Sequence, residues 1–183
     1  MKIRLDQFNP KEGLDRGGSL LVEMAWYFIK MAFFTTPFPW PSSLKCQILR
    51  LFGAEIGHGV VIKPSVNILF PWKLIVGDHS WIGEESWILN FEKISIGSHA
   101  CVSQRAFLCA GNHDFRKPSM PYRNGPITIY SGAWVGAQVF VGPGVEIGEE
   151  TVITAGSVVL KNLPAATICG GNPATPLRPR WKD

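Results

Sequence analysis

Residues 129 to 159 read IYSGAW VGAQVF VGPGVE IGEETV ITAGSV V, with an aliphatic residue returning every six positions. The same register continues toward the N-terminus. Ile96, Val102 and Leu108 lead three hexads, Val76, Ile82 and Ile88 three more, and Ile56, Ile62 and Ile68 the first three. Every leading position is Val, Ile or Leu. The second position is Gly at Gly57, Gly77, Gly83, Gly97, Gly136, Gly142 and Gly148, and the fifth is usually Ala, Ser, Thr or Val. A helical period of 3.6 residues does not generate this pattern. Three hexads make eighteen residues, one triangular coil of three short strands, each coil stacked ~4.8 Å from the last through parallel backbone hydrogen bonds. The leading residues then form an apolar column, and small fifth residues fit a narrow prism. Gly beside the leader is expected to supply the tight corner, where a Cβ would resist the backbone angles.

The spacing of the leaders locates the irregularities. Ile56 to Val76 and Val76 to Ile96 are each one coil plus two residues, and Ile129 to Ile147 is one coil with nothing added. Ile96 to Ile129 carries fifteen extra residues. The chain is therefore expected to leave the prism near Asp114 and return near Thr128, in a loop rich in Pro, Gly and charge that suits the cover of a surface site. The fifth position loses its small residue at Trp72, Glu92, Asn112 and Leu163, all in third hexads. The exceptions and the loop share one face, where function is the expected reason. The chain divides into an N-terminal segment (1–55), a repeat region (56–164, with the loop at 114–128) and a C-terminal tail (165–183).

The chain has 183 residues, 46% of them hydrophobic and 17% charged, which suits one domain with a substantial core. Its net charge of +4 comes from scattered Lys and Arg residues, so nucleic acid is not an expected partner. Cys46, Cys101, Cys109 and Cys169 form no C-x-x-C pair and fit a reducing cytoplasm. The polar N-terminus lacks the order of a signal peptide. Leu20 to Phe34 is apolar but spans only fifteen residues and contains Glu23 and Lys30, short of the ~20 needed to cross a bilayer. It reads as a helix packed on the main body, with peripheral attachment to the inner membrane as the alternative. Pro37, Pro39 and Pro41 end it, and a second short helix is expected over 43–52.

The I-G-x-x-small-x hexads, with Asn90-Phe91 one coil before Gly111-Asn112-His113-Asp114, resemble the hexapeptide-repeat acyltransferase superfamily. Within it, LRLFGAEIG (49–57), FPWKLIVGDHSWIGEESWI (70–88), VSQRAFLCAGNHDF (102–115) and GGNPATPLRPR (170–180) resemble the colanic-acid and exopolysaccharide O-acetyltransferases, which are similar to the galactoside and maltose enzymes. The resemblance implies a mainly β fold, a left-handed parallel β-helix with an N-terminal helical segment and an active-site loop. It also implies a homotrimer with sites between subunits, and transfer of acetyl from acetyl-CoA to a sugar or lipid-linked oligosaccharide acceptor.

Moving an acetyl group from a thioester to an alcohol requires a base for the hydroxyl proton, and a positioned imidazole can supply it. His58, His79 and His99 occupy turn positions of regular hexads, whereas His113 stands at the edge of the loop, so His113 is the expected general base. The opposing reading is a solvated loop histidine. Asp114 is placed to orient the ring or bind the acceptor, with Phe115 and Tyr122 beside it. Asn90, on the same face one coil earlier, is expected to hold acceptor or intermediate, against an Asn ladder at a coil corner. By resemblance, Trp134, Gly136, Ala137, Ala155 and Gly156 line the pantetheine groove. Lys161, Arg178 and Arg180 are expected to meet the phosphates, unless the last two belong to a solvated basic tail. Direct attack needs no Ser or Cys nucleophile, and no metal is expected. Two other readings are a metal enzyme of the γ-carbonic-anhydrase kind, built around His79 and His99, and a non-catalytic β-helix scaffold.

Overall fold

The computed structural model describes residues 2–181. Three sheets wrap a triangular prism, and from β1 to β15 each strand pairs in parallel with the strand three places along the chain. The first face carries β1 (Glu55–Ile56), β4 (Leu74–Val76), β7 (Ile94–Ile96), β10 (Ile127–Ile129) and β13 (Glu146–Ile147). The second carries β2 (Val61–Ile62), β5 (Trp81–Ile82), β8 (Cys101–Val102), β11 (Trp134–Val135) and β14 (Val152–Ile153). The third carries β3 (Asn67–Ile68), β6 (Trp87–Leu89), β9 (Phe107–Cys109), β12 (Phe140–Val141) and β15 (Val158–Val159). The register matches the hexads residue for residue: Ile56, Val76, Ile96, Ile129 and Ile147 stack in one column, and Ile62, Ile82, Val102, Val135 and Ile153 in the next. All these leaders are buried. At about 1.5–3 kcal/mol for each fully buried aliphatic side chain, the columns dominate the stability of the prism.

The glycines of the second hexad position act differently from the corner role expected of them. Their φ angles are ordinary, and the left-handed residue is the fourth of the hexad, as at Gly59, His79, His99 and Gly132 on one corner and Ser65, Glu85, Arg105, Gln138 and Gly156 on another. What the second position requires is close approach. A Cβ on Gly77 would stand 2.5 Å from the Ser98 nitrogen of the next coil, and one on Gly83 would stand 2.5 Å from that of Gln104.

The third hexads of the first three coils are out of phase as well. Phe70, Asn90 and Ala110 point inward two places early, leaving Trp72 and Glu92 half-buried and Asn112 exposed. The two added residues lengthen the next strand, so that Leu74, Ile94 and Ile127 are buried beside Val76, Ile96 and Ile129. The excursion runs from Gly111 to Pro126, because Ile127 already pairs with Ile94. Its base is closed by the Gly125 N–H donating to the Ala110 carbonyl at 3.1 Å.

Helix α1 (Leu20–Phe33) starts at Ser19, whose hydroxyl accepts from the Val22 N–H, and lays Trp26 on the first coil, where Nε1 donates to the Ile68 carbonyl at 3.1 Å. Helix α2 (Ser42–Leu51) covers the open end of the prism. An uncovered first coil would expose a row of unpaired backbone groups. Lys45, fully buried, donates to the carbonyls of Ile62 and Lys63, and Arg50 donates to those of Ile56 and Gly57. Burial pushes the Lys45 ammonium below its usual pKa. At the far end, β16 (Thr167–Gly171) stacks on β14, and β17 (Ala174–Pro179) folds back antiparallel on β16. The segment set apart from the sequence as a tail is thus a hairpin on the second face, and Cys169 adds a further buried layer.

Candidate active site

The excursion is a short antiparallel arch. The Asp114 N–H donates to Pro121 O at 2.8 Å, the Arg123 N–H donates to Asn112 O at 2.8 Å, and His113 faces Tyr122 across the arch. The His113 Nδ1 lies 2.7 Å from the Met120 carbonyl. A carbonyl oxygen only accepts, so Nδ1 carries the proton and Nε2 presents its lone pair, the tautomer a general base requires. The ring stacks on Tyr122 at 4.8 Å between centroids and takes the edge of Phe8 at 5.5 Å.

Phe8 belongs to the N-terminal arm, which crosses the arch and is pinned to it at both sides. The Arg4 N–H donates to Pro118 O at 2.8 Å, and Asn124 Nδ2 donates to Gly13 O at 3.1 Å. Gly13 is required there, with a φ of +77° and the Tyr122 carbonyl 2.6 Å from where a Cβ would stand. From His113 a row of rings continues through Tyr122, Phe91 and Phe70 to Trp72. Phe115 lies outside this row and is exposed.

Two expected site residues are committed elsewhere. The Asp114 carboxylate is held by Arg116, with Nε to Oδ1 at 2.8 Å, and that guanidinium keeps its pKa below the usual value. The carbonyl of Met120, not Asp114, therefore sets the ring of His113. Asn90 is fully buried, its Oδ1 accepting from the Phe70 N–H at 2.9 Å and its Nδ2 donating to the Phe70 carbonyl at 2.5 Å. Both ends of the amide are used to brace the coil below. Its observed contacts are those of a brace at a coil corner, with one of the two Nδ2 N–H groups committed to Phe70.

A groove of 460 Å³ runs along the second face, walled by Trp81, Trp134 and Cys101 and edged by Lys63, Glu84 and Gln104. Trp134 is fixed in it by Nε1 donating to Ser103 Oγ at 2.8 Å. Above the groove, the corner between the second and third faces presents small residues. Ala155 and Gly156 are exposed, and the Gly156 N–H donates to the Ala137 carbonyl at 2.8 Å. A Cβ on Gly156 would meet nothing within 4 Å, so the corner has open space alongside it.

No family model matches the chain. It is 40% identical over 180 residues, 96% of each chain, to a putative colanic acid biosynthesis acetyltransferase of Escherichia coli K12. This chain belongs to the hexapeptide-repeat acetyltransferase family. Among solved structures it is similar to a hexapeptide-repeat acetyltransferase of Vibrio cholerae O1 biovar eltor in complex with acetyl-coenzyme A, with a TM-score of 0.80, 25% identity and coverage of 91% and 92% of the two chains. A maltose O-acetyltransferase of Clostridium difficile 630 shares the fold with a TM-score of 0.81 at 22% identity, covering 100% and 99%.

The acetyltransferase distributes its remaining expected residues unevenly. Trp134 lines the groove, Ala137, Ala155 and Gly156 line the corner above it, and Gly136 is buried, where a Cβ would stand 2.5 Å from the Ile153 carbonyl. Lys161 and Arg178 are exposed. The Arg180 Nη1 is paired with Glu150 at 2.9 Å and donates to the carbonyls of Gly132 and Glu150. These contacts fasten the end of the hairpin to the prism. His79 and His99 stack at 5.3 Å, but no group of three or more potential metal ligands occurs among the described residues. Lys63, Phe8 and the Met120 carbonyl were not anticipated. A backbone oxygen carries no sequence signal, and Phe8 lies outside the repeat.

Proposed function

We propose that the protein transfers the acetyl group of acetyl-CoA to a hydroxyl of a sugar destined for an exopolysaccharide, with His113 as the general base. The observation that carries this reading is the 2.7 Å contact between His113 Nδ1 and the Met120 carbonyl, which leaves Nε2 as an acceptor at the edge of the loop. The kinship with a putative colanic acid biosynthesis acetyltransferase supports the substrate class.

Acetyl-CoA supplies the activated acyl group as a thioester. The chain's own part is to accept the sugar hydroxyl proton at Nε2 as the oxygen attacks the thioester carbonyl, and to return it to the departing sulfur. Trp134, Ala137, Ala155 and Gly156 suit a thin pantetheine arm, because they leave an open corner above an aromatic wall. Lys63, Lys161 and Arg178 are the exposed cations toward which the phosphates would lie. Asp114, together with Arg116, and Tyr122 border the acceptor, while Asn90 serves as a positioning residue that fixes the coil beneath Phe91. We propose a homotrimer as the working unit. Outward aromatic columns, Trp87 on Phe107 at 4.6 Å and Trp81 and Trp134 on either side of Cys101, are suited to cover by neighbouring subunits.

His113→Ala tests the assignment. Turnover should fall by about 10²–10⁴-fold while acetyl-CoA binding measured by calorimetry stays unchanged. His79→Ala and His99→Ala should leave turnover near wild type. Full activity of His113→Ala, or an equal loss in either control, would sink the assignment.

A further inference from the structure

Helix α1 is amphipathic in the reverse sense. Its outward stripe is Leu20, Leu21, Met24, Tyr27, Phe28 and Met31, with Leu21 80% and Phe28 65% exposed. Phe38 stands exposed beyond the helix end, where it packs on Trp40 at 4.6 Å. The two charges of the helix do not interrupt this stripe. Glu23 turns to Arg16, with Nε to Oε1 at 2.8 Å, and Lys30 lies over the Tyr27 ring at 5.9 Å. Among the described residues no carboxylate is within ion-pair distance of Lys30, and burial holds its ammonium below the usual pKa. Arg16 and Lys30 both line a cavity of 250 Å³ at the edge of the stripe. Glu23 neutralises one of them, so the rim is net positive.

An apolar stripe rich in aromatics and rimmed by cations complements one surface in particular, a bilayer with anionic headgroups. In the homotrimer proposed above, the subunit contacts are assigned to the aromatic columns of the prism and not to α1. The helix has 14 residues, about 21 Å at 1.5 Å per residue, short of the ~30 Å hydrocarbon core, so it would lie along the surface. No described helix is long and apolar enough to cross a membrane. We infer that the outward face of α1, with Phe38 and the Arg16/Lys30 rim, is a docking surface for an anionic lipid bilayer.

The test is co-sedimentation of the full-length protein with vesicles of phosphatidylcholine mixed with phosphatidylglycerol, and with vesicles of phosphatidylcholine alone. The wild type should pellet with the mixed vesicles and more weakly with the neutral ones. Leu21→Glu combined with Phe28→Glu, two exposed positions on one face, should weaken partition by about a hundred-fold or more. That variant should keep its circular dichroism spectrum, its sedimentation in the absence of lipid and its turnover on a soluble sugar. Lys30→Met should cost about five-fold on mixed vesicles and little on neutral ones. The proposal is overturned if the wild type stays in the supernatant with both vesicles, or if the double variant pellets as the wild type does. It is equally overturned if the double variant changes the size of the assembly and not the lipid binding, since α1 would then be a subunit interface. Should the double variant fail to fold, the wild-type and Lys30→Met arms decide.

Discussion

Phe8 lies more than a hundred residues from the proposed base in sequence, yet its ring meets both His113, at 5.5 Å, and Tyr122, at 5.3 Å. Phe8→Ala removes these two edge-to-face contacts and leaves the arm attached through the Arg4 to Pro118 and Asn124 to Gly13 hydrogen bonds. Such contacts contribute about 0.5–1.5 kcal/mol each beyond simple burial, so about 1–3 kcal/mol of the preference for the aligned ring is at stake. If all of it orients the imidazole, turnover falls between about 5-fold and about 150-fold. Acetyl-CoA affinity should not move, because Trp134 and Gly156 belong to other parts of the prism. Phe8→Tyr keeps the ring and should restore most of the rate. Steady-state kinetics with both substrates varied decide the matter. Wild-type turnover in Phe8→Ala, or a loss confined to the KM for acetyl-CoA, would show that the arm does not set the base.

Two further outcomes concern the prism and its helix. Gly77→Ala places a Cβ 2.5 Å from the backbone of the next coil and should cost about 2 kcal/mol or more in thermal unfolding. Gly144→Ala, where a Cβ meets nothing within 4 Å and only a φ of +78° opposes it, should cost about 1–2 kcal/mol, and equal losses at the two sites would refute the close-approach account. The Arg16 guanidinium keeps the Glu23 carboxyl below its usual pKa, so this group adds stability above the ordinary glutamate value of about 4.3 and loses it as pH falls through the lower folded value. Glu23→Gln should therefore show a smaller drop in Tm between neutral and acidic buffer than the wild type, and an identical drop would discount the pair.

The columns of the prism were legible because a two-residue strand turns one side chain inward at each repeat, and the aliphatic leaders mark it without interruption. Ile129 and Ile147, eighteen residues apart in sequence, are neighbours in space for that reason alone. Phase was harder to read than period. In the third hexads of the first three coils the inward residue is Phe70, Asn90 or Ala110, and the large residues at Trp72, Glu92 and Asn112 marked the irregular face without showing that the corner had moved two places. The same slip explains Asn90, which shares the loop's face one coil earlier but turns to the core. His113 could be singled out because the repeat breaks beside it. Its orienting partner could not, since Met120 contributes only a carbonyl, and the arm carrying Phe8 has no periodicity to reveal where it returns. Arg180 looked like a free cation, and only its distance to Glu150 shows that it is paired.

The buried lysine and the exposed arginine of α2 bear on how such a molecule changes length. A stack of coils is a linear polymer whose unit is added along one axis, and by itself it has no reason to stop. Here Lys45 and Arg50 act as a terminator at one end, because they occupy the carbonyls on which another unit would grow, and the β16–β17 hairpin ends the other. Between the terminators the parallel strand pairings repeat from coil to coil. A family of such proteins can gain or lose units of eighteen residues without redesigning a core, provided that both ends and the looped unit carrying His113 are kept.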